Sequence, residues 1–267
     1  MRRLTYLIAH LPLLLIYTSS FAQAPIKKID RLLYKDKVTE AESALKQMFA
    51  KDSANMQYYY YMGTICRITG HYKAAKEYCN KVLKMDSLSA VAIAEIGIIF
   101  AQTGDSIKAL SMLNQAIAID STNGNFYNSR GSVYYIMNKY DLSILDLQKA
   151  AKIQPGNFRI LYNIGNTYYQ IDRYEDAIVY LSKALSGEKT RLAYFVRGLS
   201  YYYLDKYNEA IKDFNKGIGL EDTDNPYEKV STGKLYYWRA QVYKTMGDNE
   251  KYTKDLDLSI KYGYFGE

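Results

Sequence analysis

Leu161-Tyr162-Asn163-Ile164-Gly165-Asn166-Thr167-Tyr168-Tyr169-Gln170-Ile171-Asp172-Arg173-Tyr174-Glu175-Asp176-Ala177-Ile178-Val179-Tyr180-Leu181 decides the fold. Apolar residues recur at three- and four-residue steps through Leu161, Ile164 and Tyr168. They break at Ile171-Asp172-Arg173 and resume through Ala177, Ile178 and Leu181. This is the period of two amphipathic helices joined by a short polar turn. The pattern recurs along the chain. Gly63, Gly97, Gly131 and Gly165 are 34 residues apart, and Gly198 follows 33 later. Three residues after each glycine come Cys66, Phe100, Tyr134, Tyr168 and Tyr201. Twelve after come Ala75, Ala109, Ser143, Ala177 and Ala210. Sixteen after come Cys79, Leu113, Leu147, Leu181 and Phe214. A further copy surrounds Ala240, with Tyr243 and Leu256 in register. A helical glycine costs about 1 kcal/mol against alanine. Its recurrence predicts close approach of two helix backbones, in hairpins that bury a continuous core only by stacking.

The glycine, tyrosine, small-residue and aromatic columns, with Pro155 closing one unit, resemble the tetratricopeptide repeat. The resemblance covers nearly the whole chain after its leader. It implies an all-α fold, a right-handed superhelical solenoid of antiparallel hairpins. The register places a degenerate first repeat at 23–55 and further repeats at 56–89, 90–123, 124–157, 158–190, 191–224 and 233–266. An insert at 225–232 is expected to form part of a loop that begins with the acidic run from Glu221. Residues 1–22 read as a signal peptide: Arg2-Arg3, an apolar stretch from Leu4 to Tyr17, and a small-residue exit at Ala22. An exported, soluble periplasmic or extracellular chain of the bacterial envelope is therefore expected.

Two columns switch together. Arg130, Arg197 and Arg239 precede the glycine position in three units, and sixteen residues on lie Asp146, Asp213 and Asp255. In the other units the first column holds Met62, Ile96 or Ile164 and the second Tyr78, Met112 or Tyr180. A buried arginine demands a carboxylate. The covariation therefore predicts structural ion pairs across three hairpins and apolar contacts across the rest.

Composition excludes several functions. The net charge is +7, or +5 once Arg2 and Arg3 leave with the leader, and no Lys/Arg block interleaves with aromatics as a nucleic-acid stripe would. Beyond the leader the sole histidine is His71, and no Cys-x-x-Cys or His-Glu-x-x-His occurs. No metal site, cofactor or catalytic constellation is expected. Cys66 and Cys79 stand in core columns about one turn out of level, which predicts free thiols despite export.

The expected function is therefore binding by a non-enzymatic scaffold. By resemblance the first helix of each hairpin lines a concave groove. One column of that groove is Tyr60, Asn128, Tyr162, Phe195 and Tyr237. A second includes Thr64, Ser132 and Asn166, and a third Arg67, Tyr135, Tyr169, Tyr202 and Lys244. Tyr135, Tyr169 and Tyr202 are expected to form a ladder. Tyrosine offers large contact area at small rotamer cost. The favoured partner is a peptide or helix segment of another protein. The alternatives are a glycan stacked on the aromatic groove and self-assembly. Against self-assembly, Thr253, Lys254, Asp257 and Lys261 predict a polar last helix and a monomer, with Tyr262-Gly263-Tyr264-Phe265 folding back over that end.

Overall fold

The computed structural model describes residues 20–34, 37–50, 55–220 and 226–266. Residues 1–19 of the expected signal peptide and the run Glu221–Asn225 lie outside them. The described residues form helices and turns with no strand. In chain order the helices are α1 (Ser20–Tyr34), α2 (Val38–Met48), α3 (Met56–Ile68), α4 (Tyr72–Met85), α5 (Ala90–Gln102), α6 (Ser106–Ile119), α7 (Gly124–Ile136) and α8 (Tyr140–Ile153). They continue with α9 (Phe158–Gln170), α10 (Tyr174–Gly187), α11 (Arg191–Tyr203), α12 (Tyr207–Ile218), α13 (Pro226–Thr245) and α14 (Asn249–Lys261). The chain divides into two compact units, Met1–Ile153 and Gln154–Glu267.

Consecutive helices pair as hairpins, and the expected columns form their cores. Ala75, Ala109, Ser143, Ala177 and Ala210 are all fully buried, as are Leu113, Leu181 and Phe214. A Cβ on Gly131 would lie 2.9 Å from Leu147 Cγ, and one on Gly165 2.7 Å from Leu181 Cγ. The glycine is therefore where one helix admits the large side chain of its partner.

The turns inside the hairpins share one device. The residue seven after the glycine position is Gly70, Gly104, Asn138, Asp172, Asp205 or Gly247, and in every case φ is positive. The amide of the next residue closes a six-residue loop back to the first helix, as in His71 N to Cys66 O (2.7 Å) and Lys206 N to Tyr201 O (2.9 Å). This left-handed stop satisfies carbonyls that the helix end leaves open. Asparagine and aspartate tolerate that backbone better than other residues with a Cβ. Asn55, Asn123, Asn157 and Thr190 cap the first helices of their hairpins from the other end.

One expectation changes. Residues 226–232, placed by sequence in an inserted loop, lie in α13, which begins at Pro226 and runs for 20 residues. Proline suits the first helical position because its missing N–H has no partner there in any case. The added residues thus lengthen a helix.

At the C-terminus Tyr262 stacks on Tyr236 with centroids 5.5 Å apart, and Tyr264 packs edge-on against Tyr237 at 5.3 Å. The tail folds back over the last hairpin, as expected. Ser259 Oγ donates to the Tyr264 carbonyl at 2.8 Å and fixes the return.

Candidate functional site

The three Arg/Asp pairs are present and bidentate. Arg130 Nε and Nη2 donate to Asp146 at 2.7 Å each. Arg197 reaches Asp213 at 2.6 and 2.7 Å, and Arg239 reaches Asp255 at the same distances. The remaining Nη1 reaches back to the second helix of the preceding hairpin: to Asn114 Oδ1 from Arg130 (2.7 Å), to Ser182 Oγ from Arg197 (2.8 Å), and to Asn215 Oδ1 from Arg239. Each guanidinium also lies against a ring three residues earlier, Tyr127, Tyr194 or Tyr236. Each arginine therefore joins three helices. Its place is structural: both oxygens of the carboxylate are held by the guanidinium. Hydrogen bonds to Asp146 hold the Arg130 pKa above its ordinary value.

The expected groove residues divide. In the first unit Tyr60 is buried in the core with its ring edge-on to Tyr61 at 5.3 Å, and Asn128 is only 1% exposed. Arg67 and Thr64, expected in the groove, are buried as well. Arg67 is 2% exposed because its Nε donates to Glu95 of α5 at 2.6 Å, an ion pair inside the stack. Sequence reasoning missed it, since Glu95 has no acidic counterpart in its column. Tyr135 is half-buried, edge-on to Tyr140 at 5.6 Å.

In the second unit Asn166 is buried, whereas Tyr162, Phe195, Tyr169, Tyr202 and Tyr237 remain half-buried. The C-terminal tail covers one side of Tyr237. Tyr169 and Tyr202 are connected through Tyr203, which lies 6.2 Å from the first and 5.4 Å from the second. Tyr203 also stacks on Tyr174 at 5.1 Å, with ring planes 13° apart. Trp238 continues the series, 5.7 Å from Tyr202 and 6.4 Å from Tyr203. These rings bridge α9–α10, α11–α12 and α13–α14 at the edge where the hairpins turn. Neither Tyr203 nor Trp238 was expected: Tyr203 is the one aromatic of its column, and the Trp238 column has only Tyr61 besides, so periodicity carries little signal for them. Tyr203 is 44% exposed.

The turn aspartates order this edge. Tyr174 Oη donates to Asp172 Oδ1 at 2.6 Å, and Tyr207 Oη donates to Asp205 Oδ1 at 2.6 Å. In the first unit Tyr140 Oη donates to Asn138 Oδ1 at 2.9 Å. Desolvation and then the bond to Asp172 raise the Tyr174 pKa to about 12. Desolvation, followed by the charge of and hydrogen bond with Tyr203, raises that of Tyr169.

Cys66 and Cys79 are free thiols, both with pKa raised by burial. Among the described residues no group of histidines, cysteines and carboxylates is placed to hold a metal ion, and no helix is long and apolar enough to cross a membrane.

Models of the tetratricopeptide repeat match residues 57–87 and 192–224, and a TPR repeat model matches 131–172. This is a tetratricopeptide repeat protein. A chain of the Cut9–Hcn1 hetero-tetramer of the APC/C is 17% identical, with a TM-score of 0.74. The match covers 92% of the present TPR chain and 47% of that one, so this protein spans about half the length of its relative. Pseudomonas aeruginosa pilF is 21% identical over 80% of this chain and 94% of its own, with a TM-score of 0.65. YrrB, described as a TPR protein with an unusual peptide-binding site, is 19% identical over 70% and 93%, with a TM-score of 0.57. A sequence comparison with curated proteins finds no match. At these identities the likenesses establish the fold. TPR repeats build protein-interaction scaffolds and are generally not catalytic.

Proposed function

We propose that this TPR protein is a non-enzymatic scaffold of the bacterial envelope that binds a segment of another protein along the first-helix face of its second unit. One observation carries the reading: Tyr169, Tyr202, Tyr203 and Trp238 form a run of ring contacts through three consecutive hairpins and stay partly open to solvent. Aromatic side chains are enriched at recognition surfaces because they bury much area with few rotors. The YrrB likeness supports a peptide as the ligand, and the apolar leader with Ala22 as its exit supports export. The buried first-unit columns around Tyr60 and Asn128 serve packing in this reading.

Crosslinking in the native cell followed by purification of the full chain tests the proposal. Wild-type protein is expected to retain a crosslinked protein that is lost with Tyr169→Ala, Tyr202→Ala and Tyr203→Ala together, while helix content by circular dichroism stays unchanged. Undiminished crosslinking by the folded triple variant would sink it. Retardation on polysaccharide gels without any protein crosslink would establish glycan binding in its place.

A further inference from the structure

Several aromatic rings of this protein carry a cation of the chain itself. Lys76 lies over Phe100, Lys81 over Tyr59, Arg173 over Tyr168 and Lys183 over Tyr180, at 4.0 to 5.2 Å. The run in the second unit is different. Among the described residues no lysine or arginine lies over Tyr169, Tyr174, Tyr202, Tyr203 or Trp238, although the whole chain is basic. The charged groups tied to these rings are instead Asp172 and Asp205, held by the hydroxyls of Tyr174 and Tyr207. Neither carboxylate has an ion-pair partner among the described residues; the adjacent Arg173 is held by Asp176 at 2.6 Å.

Open ring faces and unneutralised carboxylates are both attractive to a cation. Ring quadrupoles draw ammonium and guanidinium groups to within about 6 Å of the centroid, more strongly where water is partly excluded. The backbone fixes the carboxylates in place, since Asp172 and Asp205 sit at φ 60° and 57° in the left-handed stops of their turns. In the first unit the equivalent position is the neutral Asn138. The rim thus sets aromatic rings beside two carboxylates that no cation among the described residues pairs with.

We propose that this rim is a cation-recognition site for a lysine- or arginine-rich segment of the partner protein, with basic side chains on the faces of Tyr203 and Trp238 and with Asp172 and Asp205 as counter-charges. The inference rests on the scaffold reading and names the chemistry of its partner. A cation on an open ring face gains attraction without displacing a charge the protein already holds there. The basic surface elsewhere repels the same segment and confines it to the rim.

Trp238 is the chain's single tryptophan, so its fluorescence reports on the site directly. The experiment titrates the full chain with a short peptide alternating lysine and glycine, an arginine counterpart, and serine and glutamate controls. The basic peptides are expected to change Trp238 emission saturably, and the controls are not. Asp172→Asn with Asp205→Asn is expected to weaken basic-peptide binding about tenfold, with Tyr203→Leu adding a further loss. Asn138 shows that asparagine is accepted at this turn position, and thermal melts check folding. Should the double variant melt early, wild-type affinity is expected to fall steeply with ionic strength. Equal binding of serine or glutamate peptide, an unweakened folded double variant, or salt-independent affinity each overturns the proposal. The two readings fail separately. Cellular crosslinking that survives in the Asp variants retires the cation site and leaves the scaffold, whereas lysine-peptide binding without any crosslinked partner retires the scaffold.

Discussion

In α9–α10 the position before the glycine is Ile164, and the residue sixteen on is Tyr180, whose ring stacks on Tyr168 at 5.5 Å. In α11–α12, its neighbour in the same unit, those three places hold Arg197, Asp213 and Tyr201. Both hairpins bury the alanine column fully and bring a large side chain onto the glycine. The difference lies in what each solution connects. The Tyr168–Tyr180 stack lies within its hairpin, whereas Arg197 also donates to Ser182 of α10 and so fixes how one hairpin sits on the previous one. A buried ion pair contributes little net stability against an apolar equivalent, because desolvation offsets the attraction. Its gain here is direction: three arms of one guanidinium specify two neighbours at once.

Breaking the pair from one side has the largest expected effect. Asp213→Ala leaves Arg197 without its carboxylate at a site where Asp213 is 4% exposed and Arg197 14%. Removing one partner of a buried pair costs about 3–5 kcal/mol, and the remaining water access to Arg197 places this case at about 3. Chemical denaturation checks it, with Ile164→Ala in the neighbouring hairpin as the apolar control. A loss below about 1 kcal/mol would show that the pair behaves as a solvated one and adds little to the stack.

The glycine column sharpens the comparison at the next level. A Cβ on Gly198 would lie 2.5 Å from Phe214 Cε1, and Phe214 is fully buried, so the ring has nowhere to move. Gly198→Ala is expected to destabilise by about 1–3 kcal/mol through overpacking. At Gly63 the opposing residue is Cys79, and a Cβ would meet Tyr78 Cβ at 3.4 Å and Cys79 Sγ at 3.5 Å, ordinary contact distances. Gly63→Ala is expected to leave stability unchanged or raise it by up to about 1 kcal/mol through helix propensity. Thermal melts of the two variants side by side check both. If both lose stability alike, the glycines serve something other than the side chain sixteen residues on.

Much of this was legible in the sequence because it repeats. The glycine register, the alanine column and the Arg/Asp switch are intrahairpin features, and each appears in several copies that check one another. The left-handed column from Gly70 to Gly247 was equally periodic, but its alternation between glycine and Asn/Asp resembles ordinary turn composition. What else escaped lies between hairpins: the third arm of each paired arginine, and several contacts that occur once. Arg67 fell in a groove column, yet it pairs with Glu95 one hairpin further on. Tyr203 completes the rim from a column where no other repeat has an aromatic, Trp238 from one shared only with the buried Tyr61, and among 30 tyrosines composition does not mark Tyr203. The ladder was expected from Tyr135, Tyr169 and Tyr202. Within the second unit the contact between the last two passes through Tyr203.

The smallest expected effect is the most informative about the two hairpins. Arg197→Ile together with Asp213→Tyr moves the α9–α10 solution into α11–α12, with the introduced ring able to lie on Tyr201 as Tyr180 lies on Tyr168. Replacing a buried pair by packed apolar groups is commonly neutral or stabilising, so the double change is expected to alter stability by less than about 1 kcal/mol. Its cost should appear elsewhere, because the arm from Arg197 to Ser182 is gone while the contacts inside the hairpin are restored. Hydrogen exchange separates the two. Amides of α11 and α12 should keep their protection, whereas those of α10, next to the junction that loses its hydrogen bond, should exchange faster. Equal protection throughout would mean that apolar contact alone sets the stacking of hairpins. Arginine would then be interchangeable with isoleucine in this column, and the covariation with aspartate would reflect only the need to pair a charge once it is there.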